Sequence, residues 1–318
     1  MHIVCCTDHN YIMPTGIMIC SVCENNSNIS IIFHVICNNN VSIEDKSDLN
    51  NIVNRYNQTI NFYKIDNDIP ACFTIGKENQ PQHITISSYY RLFLADILPS
   101  DIEKVLYLDG DIVVRKSLES LYNTDIKDYS IGAVIDMSQS NISYYNRLKY
   151  SPSYGYFNAG VLLINLSFWR EHNLIKEFID FASNYPERIK LHDQDILNFV
   201  LRNSKYNLPL SYNFQSGFLY KHEYRDFSWE YDEEIEKCYL DPHIIHYTCP
   251  IKPWGEKCNF PYKSAFFQYR DLTKWKNQEL IKGPKLTWKG KLKRFLITSG
   301  FLKDIPQLDL YLPVSLQI

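Results

Sequence analysis

Short apolar runs alternate with amphipathic segments along most of this chain. Runs bounded by polar residues or glycine are typical of buried strands, whereas apolar residues repeated every three or four positions indicate helices. Predicted strands cover residues 3–6, 29–37, 59–65, 105–108, 131–136, 158–165 and 243–247. Predicted helices begin near residue 14 and at residue 192, and cover 43–56, 87–98 and 169–185. Residues 208–241 show little periodicity and are predicted to pack as long loops.

This alternation predicts an α/β fold with a mostly parallel central sheet and helices on both faces. Ligands of such sheets bind outside the carboxyl ends of the strands, where Asp8, Asn10, Asp109 and Asp111 all fall. No Gly-x-Gly-x-x-Gly follows the first strand, and the chain has no Walker-type loop. A bound phosphate would therefore depend on a metal ion for charge neutralisation.

The sequence Asp109-Gly110-Asp111 lies between two short apolar runs. Side chains two positions apart on an extended chain point to the same side, so the two carboxylates can reach one ion, and Gly110 allows a ligand or backbone to approach closely. Carboxylate oxygens suit Mg²⁺ or Mn²⁺ that also binds substrate phosphates. Asp-Gly is also a common turn dipeptide, so taken alone the pair could be only a turn.

The composition fits one large domain with an appendage. The chain has 318 residues, of which 45% are hydrophobic, and a net charge of -3. Without a run of about 18 apolar residues or a signal-like start, it is expected to be cytoplasmic. Nine cysteines, an odd number, favour reduced thiols over a disulfide framework. Cys20 and Cys23 form a lone Cys-x-x-Cys in an apolar helix and are expected to pack in the core.

Positive charge is concentrated near the end of the chain. Residues 274–303 contain nine Lys and Arg against one acidic residue, a net charge of +8 that leaves -11 for the remainder. Trp275, Trp288, Phe295 and Phe301 are interleaved with these cations, as in segments that lie on anionic membranes. A solvated helix face is the alternative. A nucleic-acid partner is disfavoured because the acidic remainder would repel phosphates.

Six motifs in order give the chain a resemblance to glycosyltransferase family 8, within it most to bacterial lipopolysaccharide α-galactosyl- and α-glucosyltransferases. The motifs are Thr7-Asp8-x-Asn10-Tyr11, Tyr89-x-Arg91, Tyr107-Leu-Asp109-x-Asp111, Phe157-Asn158-Ala-Gly160, Asp193-Gln194-Asp195 and His246-Tyr-x-x-x-x-Lys252-Pro-Trp254. The resemblance covers residues 1–265, and it implies a GT-A (Rossmann-like) nucleotide-sugar-binding domain. Residues 266–318 are then expected to be a basic, helical membrane-association region.

The resemblance implies a retaining hexosyltransferase that uses Mn²⁺, with Mg²⁺ as the alternative, and a UDP-sugar donor. Asp109, Asp111 and His246 are the implied metal ligands, and imidazole beside carboxylates favours Mn²⁺. Lys252 would pair with the diphosphate and stabilise the leaving group. A buried core histidine and a structural salt bridge are the alternatives for His246 and Lys252.

The remaining site residues follow from the same resemblance. Thr7, Asp8, Asn10 and Tyr11 match the uridine-binding loop, although Asp8 and Asn10 could instead cap the next helix. Arg91, Asp136, Asn158, Asp193 and Gln194 match positions around the transferred sugar; Arg91 and Asp193 would hold hydroxyls, and Gln194 would lie near the anomeric carbon. Cys249 departs from the glycine common in the family and could crowd the diphosphate.

The expected reaction transfers galactose or glucose from UDP to a saccharide or lipid-linked saccharide acceptor, such as lipopolysaccharide at the inner face of the membrane. Because Gln194 is a poor nucleophile, we expect same-face substitution through an oxocarbenium-like state rather than double displacement. Two alternatives stay open at this point: a catalytically silent nucleotide-sugar-binding protein, and a self-glucosylating primer of the glycogenin type.

Overall fold

The computed structural model describes residues 1–65, 70–73, 86–219, 231–258, 260–282 and 288–301. Its strands are β1 (His2–Thr7), β2 (Ile32–Cys37), β3 (Thr59–Lys64), β4 (Lys104–Leu108), β5 (Ile112–Val114), β6 (Ile131–Ile135), β7 (Phe157–Asn165), β8 (Lys205–Asn207), β9 (Phe214–Gln215) and β10 (Ile244–His246). Its α-helices are α1 (Ile12–Asn25), α2 (Ile43–Arg55), α3 (Leu94–Ile97), α4 (Glu119–Tyr122), α5 (Ile142–Leu148), α6 (Leu166–Glu171), α7 (Leu174–Asn184), α8 (His192–Leu201), α9 (Asp232–Leu240), α10 (Lys263–Arg270) and α11 (Trp288–Thr298).

The central sheet has seven strands in the order β3-β2-β1-β4-β7-β6-β8. Strand β7 is antiparallel to both of its neighbours, and every other pairing in this sheet is parallel. The predicted mostly parallel sheet is therefore confirmed. Strand order reverses between β1 and β4, so their carboxyl ends diverge into a crevice of the kind that binds ligands in α/β proteins.

A second sheet of three strands, in the order β5-β10-β9, stands beside the first. Strand β5 follows β4 after only Asp109, Gly110 and Asp111, so the chain passes from the large sheet to the small one through this tripeptide. His246, the last residue of β10, pairs with Ile112 of β5. The small sheet thus brings the end of β10 next to the two carboxylates.

Helix α1 is buried over most of its surface, which explains its nearly unbroken apolar sequence. Cys20 and Cys23 are both fully buried in it, as expected for core residues. Gly16 faces the indole of Trp275, which a Cβ at this position would approach to 2.4 Å. Trp275 is therefore a core residue and not part of an exposed aromatic tail.

The predicted boundary after residue 265 falls inside α10. Phe266 and Tyr269 of this helix belong to the same apolar core as β5 and β10, and so does Trp275. Lys274 pairs with Asp48 and Glu44 of α2. The packed domain consequently continues at least as far as Trp275, because α10 and the turn after it cover α1 and α2.

Three predicted elements differ in the structure. Residues 86–93 form a 3-10 helix that continues into the short α3. The predicted helix 169–185 is divided into α6 and α7 by Asn173, whose φ of 48° lies in the left-handed region that Asn tolerates. Within residues 208–241, predicted as loops, the described part contains β9, which pairs with β10, and the helix α9, which has three acidic residues in its first turn.

Helix α11 is amphipathic and largely exposed. Trp288, Leu292 and Phe295 recur at helical spacing on one side and are 74%, 46% and 63% exposed. No helix among the described residues has the length and apolar character needed to cross a bilayer.

Candidate active site

A cleft of about 170 Å³ opens at the carboxyl ends of β1 and β4. Its walls contain residues from the end of β1, the 3-10 helix before α3 and the turn after β4: Cys6, Thr7, Asp8, Tyr11, Ser87, Ser88, Arg91, Tyr107, Asp109, Gly110 and Asp111. Seven of the residues predicted for the site therefore line one cavity. This is the position that the strand order reversal dictates.

Asp109, Asp111 and His246 converge at one side of the cleft. One ligand atom from each lies within 4.8 Å of the others. His246 Nε2 is 3.4 Å from Asp111 Oδ1 and 3.8 Å from Asp109 Oδ2. The three predicted metal ligands are thus brought together from two sheets, with separations that one divalent ion can bridge.

The second oxygen of each carboxylate is already engaged. Asp109 Oδ1 accepts hydrogen bonds from Arg91 Nη2 (2.9 Å) and the Tyr107 hydroxyl (2.8 Å). Asp111 Oδ2 accepts one from Lys252 Nζ (2.7 Å). Each carboxylate is therefore oriented by a cation on one oxygen and presents the other oxygen toward His246.

A chain of amide hydrogen bonds fixes the imidazole tautomer. Asn158 Oδ1 accepts from the Gly160 backbone N–H, so its Nδ2 must be the atom that donates to Asp136 Oδ2. Asn213 Nδ2 then donates to Asn158 Oδ1, which leaves Asn213 Oδ1 to accept from His246 Nδ1 at 2.9 Å. In the neutral ring, Nε2 consequently has no proton and aims its lone pair at the carboxylates.

This donor set fits a divalent metal ion. Two carboxylate oxygens and an imidazole lone pair face one point, which is a mixed oxygen and nitrogen donor set of the kind that divalent metal ions bind. Burial raises the pKa of Asp111, but the Lys252 ammonium opposes that effect, and the pKa lies below its usual range, which favours the ionised carboxylate. A Cβ on Gly160 would come within 2.8 Å of Asp109 Oδ2 and 2.1 Å of His246 Cε1, so the space requires glycine.

The residues predicted around the transferred sugar form one connected group. Gln194 donates through Nε2 to Asp136 Oδ2 (3.2 Å) and accepts from the Ala159 N–H (3.0 Å). Burial raises the pKa of Asp136. Asp136, Asn158 and Gln194 are therefore mutually oriented beside the candidate metal-ligand group of Asp109, Asp111 and His246, although their contact with a sugar stays a prediction.

Arg91 and Asp193 form a buried ion pair, with Nε 3.0 Å from Asp193 Oδ2. Arg91 also donates to the Ala159 carbonyl and lies over the Tyr107 ring, 4.4 Å from its centroid. Burial, opposed by Arg91, raises the pKa of Asp193 to about 6. Arg91 was predicted to hold a sugar hydroxyl; in the structure its contacts orient Asp109 and Asp193.

The beginning of α8 is rigidly held. The buried Asp195 carboxylate binds Arg147 through both oxygens, at 2.6 and 3.0 Å, and accepts from the Tyr156 hydroxyl and the Leu191 N–H. His192, the first residue of the helix, has a φ of 52°. Such a left-handed residue persists only when its surroundings fix it, and here it sets the direction from which Asp193 and Gln194 enter the site.

The loop after β1 makes the capping contact that was the alternative for Asp8 and also lines the cleft, whereas uridine binding stays a prediction. Asp8 accepts a hydrogen bond from the Asn10 N–H, so it caps the 3-10 helix His9–Tyr11. Asp8 nevertheless lines the cleft, as Thr7 and Tyr11 do, and Asn10 is exposed. Gly110 packs against this loop, because a Cβ there would lie 2.7 Å from Thr15 Oγ1 and 3.2 Å from the Tyr11 ring.

Lys252 and Cys249 follow β10. Lys252 makes the structural salt bridge considered as its alternative role, since Nζ contacts Asp111 and the Tyr247 carbonyl (2.6 Å). Pairing with a diphosphate stays a prediction. The Cys249 N–H donates to Ser216 Oγ, and Cys249 is partly exposed.

Sequence reasoning missed Asn213 and Gln215, and it gave Tyr107 no role beyond its place in the motif with Asp109. Gln215 accepts from the Met137 N–H and donates to the Ile135 carbonyl, so it holds both residues that flank Asp136. Asn213 and Gln215 lie in the aperiodic segment after β8, where nothing in the local pattern marks them. The contact of Tyr107 with Asp109 was open to inference from their spacing, because Tyr107 lies two residues before Asp109.

The family model of glycosyl transferase family 8 matches residues 2–258. This chain belongs to glycosyltransferase family 8. A lipopolysaccharide 1,2-glucosyltransferase of Escherichia coli is 30% identical over 302 residues, 94% of this chain and 86% of the relative. General stress protein A of Bacillus subtilis is 28% identical and covers 86% of this chain and 94% of its own length.

The crystal structure of the galactosyltransferase LgtC in complex with donor and acceptor sugar analogs is similar to this structure. The TM-score is 0.76 at 28% identity, and the match covers 86% of this chain and 96% of LgtC. The predicted GT-A fold is thereby confirmed. As a member of family 8, this protein is a glycosyltransferase.

Proposed function

We propose that this family 8 glycosyltransferase moves galactose or glucose from a UDP-sugar to a saccharide acceptor, in a Mn²⁺-dependent reaction that retains the anomeric configuration. The observation that carries the proposal is the convergence of Asp109 Oδ2, Asp111 Oδ1 and His246 Nε2, each oriented by a second hydrogen-bonded partner. Mg²⁺ is the alternative ion, but an imidazole ligand favours Mn²⁺.

When bound, the ion would neutralise charge on the UDP diphosphate and assist its departure. Thr7, Asp8, Asn10, Tyr11 and Gly110 would bind the uridine end of the donor at the rim of the cleft. Lys252 would add a second positive charge near the diphosphate, and Cys249 would lie beside it. Because Lys252 Nζ already contacts Asp111, it can stabilise developing negative charge without a large movement.

Retention would proceed on one face of the sugar. Both polar atoms of the Gln194 amide are engaged, by Asp136 and the Ala159 N–H, and an amide is a poor nucleophile. Gln194 would therefore orient the sugar near the anomeric carbon instead of forming a glycosyl-enzyme. A trapped sugar adduct in a Gln194→Ala variant that has lost turnover would contradict this mechanism.

The acceptor is proposed to be lipopolysaccharide or another cell-surface glycan, at the cytoplasmic face of the membrane. The names of the Escherichia coli relative and of LgtC support glucose and galactose as the two donors to examine. The choice between them depends on hydrogen bonds to one epimeric hydroxyl.

The test is UDP release from UDP-galactose and UDP-glucose with Mn²⁺, with and without simple saccharides. We expect release with at least one donor, and a loss of about 100-fold or more in Asp111→Asn, because the ion loses a ligand. Asp180→Asn, which removes only an exposed pair with Lys176, is the matched control and should keep wild-type activity. UDP binding without any release would instead support a catalytically silent binding protein.

Residues after 282 are proposed to bind an anionic membrane surface. The exposed Trp288, Leu292 and Phe295 form an apolar side of α11, and the segment is rich in lysine. A chain ending at Lys282 keeps Trp275 and the packed domain. This truncated chain should lose binding to phosphatidylglycerol vesicles, whereas equal binding by both chains would exclude the region as the anchor.

A further inference from the structure

A second cavity, of about 410 Å³, lies along the same edge of the central sheet as the active site. It is bounded by the turn after β6, by α5 and by residues of β8. The turn after β6 is the wall between the two cavities. On the active-site side, Asp136 contacts Gln194 and Asn158. On the other side, Gln139 lines the second cavity, and its N–H donates to the Asp136 carbonyl at 3.0 Å. One turn of chain therefore separates the two.

The polar groups of this cavity are neutral amides, hydroxyls and one ammonium group. Gln139 Oε1 and Lys205 Nζ lie 3.7 and 3.8 Å from the place that a Cβ on Gly155 would occupy, and the φ of Gly155 is 67°. Glycine is favoured at this position by its left-handed backbone, and it lies between the Gln139 amide oxygen and the Lys205 ammonium group. Asn207 accepts from Lys205 Nζ at 2.9 Å and adds a second amide.

Aromatic rings supply the apolar part of the lining. Tyr154 is 40% exposed at the rim, and Tyr145 is held by a hydrogen bond from its hydroxyl to the Gln139 carbonyl. Rings of this kind stack on the C–H face of a pyranose, while amides, which both donate and accept, match its hydroxyl groups. Among the described residues that line the cavity none is acidic, so the chemistry does not suit a metal ion.

We propose that this cavity is a saccharide subsite that binds a pyranose unit of the acceptor glycan remote from the unit that receives the sugar. The proposal rests on the proposed transferase function, because a glycan acceptor is what would extend past Asp136 into a neighbouring cavity. A single donor sugar next to Gln194 would not reach beyond the intervening turn.

The test measures binding of two neutral probes, lactose and maltotriose, by saturation-transfer NMR without donor or metal. We expect the wild-type protein to bind at least one of them, and Tyr154→Ala to raise its Kd about tenfold, as expected for the loss of an aromatic anchor. Asn207→Ala should also raise the Kd of the bound saccharide. Tyr129→Ala is the matched control, because Tyr129 is 38% exposed and lies outside the cavity.

Absence of binding of both sugars, or binding that Tyr154→Ala and Asn207→Ala leave unchanged, would overturn the subsite. Mn²⁺-dependent UDP release tests the transferase function separately. Release without saccharide binding would refute the subsite alone, and saccharide binding without release would refute the transferase alone. Melting temperatures of the variants verify that each is folded, which is expected for a residue as exposed as Tyr154.

Discussion

Gly160→Ala adds a single methyl group and so tests the geometry of the candidate metal-ligand group of Asp109, Asp111 and His246. Gly160 lies in β7, and alanine is compatible with the backbone there because the φ of Gly160 is not in the left-handed region. The new Cβ would be 2.1 Å from His246 Cε1, whereas ordinary contact begins near 3.4 Å. The imidazole would have to retreat by about 1.3 Å, which is far beyond the ~0.2 Å that metal-ligand distances tolerate.

The imidazole cannot move this far and keep both its hydrogen bond to Asn213 and its position beside the carboxylates. His246 Nδ1 is held by Asn213 at 2.9 Å, so a displacement of this size breaks that hydrogen bond or withdraws Nε2 from the carboxylates. Disturbing the support of a ligand typically lowers metal affinity 10–100-fold. Because the methyl also crowds Asp109 Oδ2, we expect the upper end of this range. Mn²⁺ affinity should fall about 100-fold, which corresponds to about 2.7 kcal/mol of binding free energy.

The assay is a titration of Mn²⁺ followed by the electron paramagnetic resonance signal of the free ion, in the presence of UDP. Gly132→Ala is the matched control: Gly132 lies in the neighbouring strand β6, and its Cβ would meet Leu163 and Leu208 only at 3.4–3.5 Å. Circular dichroism melting in EDTA verifies folding. Mn²⁺ affinity within about twofold of wild type in a folded Gly160→Ala protein would refute His246 and Asp109 as ligands.

Three further outcomes follow from the contacts described. Asn213→Leu should weaken Mn²⁺ binding about 10–100-fold, because the His246 tautomer is no longer fixed; unchanged affinity would show that the hydrogen bond is dispensable. Trp275→Ala should lower the free energy of unfolding in urea by about 3–5 kcal/mol by emptying the space over Gly16, with the exposed Trp288→Ala as control; a loss below about 1 kcal/mol would contradict the packing. Burial, with His2 adding to it, lowers the pKa of His34 to about 4, so the unfolded chain takes up this proton first and stability should fall as the pH drops from about 6.5 to 4. His34→Gln should lose less stability than wild type between pH 7 and pH 5 in urea titrations, and equal losses would exclude His34 as a contributor.

The strands of the central sheet were predictable because each is a local pattern. Strand β7 is buried over nearly its whole length and contains the apolar run 161–164, and α2 begins with the Ser42–Asp45 capping box. The Asp109-Gly110-Asp111 turn was recognisable for the same reason, since its residues are adjacent. Local sequence therefore sufficed wherever the pattern that defines an element lies entirely within the element itself.

Contacts that depend on distant segments were not predictable in this way. Asn213 reaches His246 across 33 residues and Asn158 across 55, from a segment without periodicity. The packing of Trp275 on Gly16 was hidden because a tryptophan among lysines has the same local pattern whether it is buried or exposed. The division between α6 and α7 depends on one Asn173 backbone conformation, which no apolar repeat encodes.

The passage of the chain from the large sheet to the small one through Asp109, Gly110 and Asp111 restricts how this protein could be re-engineered. A deletion of one residue in this turn would shift the pairing of β5 with β10 by one position and turn the side chains of β5 to the opposite face, because side chains alternate along a strand. Chimeras with other members of the family should therefore exchange the stretch from β4 to β5 as one uninterrupted block. A junction placed inside it would separate two carboxylates whose common orientation depends on an unaltered count of residues.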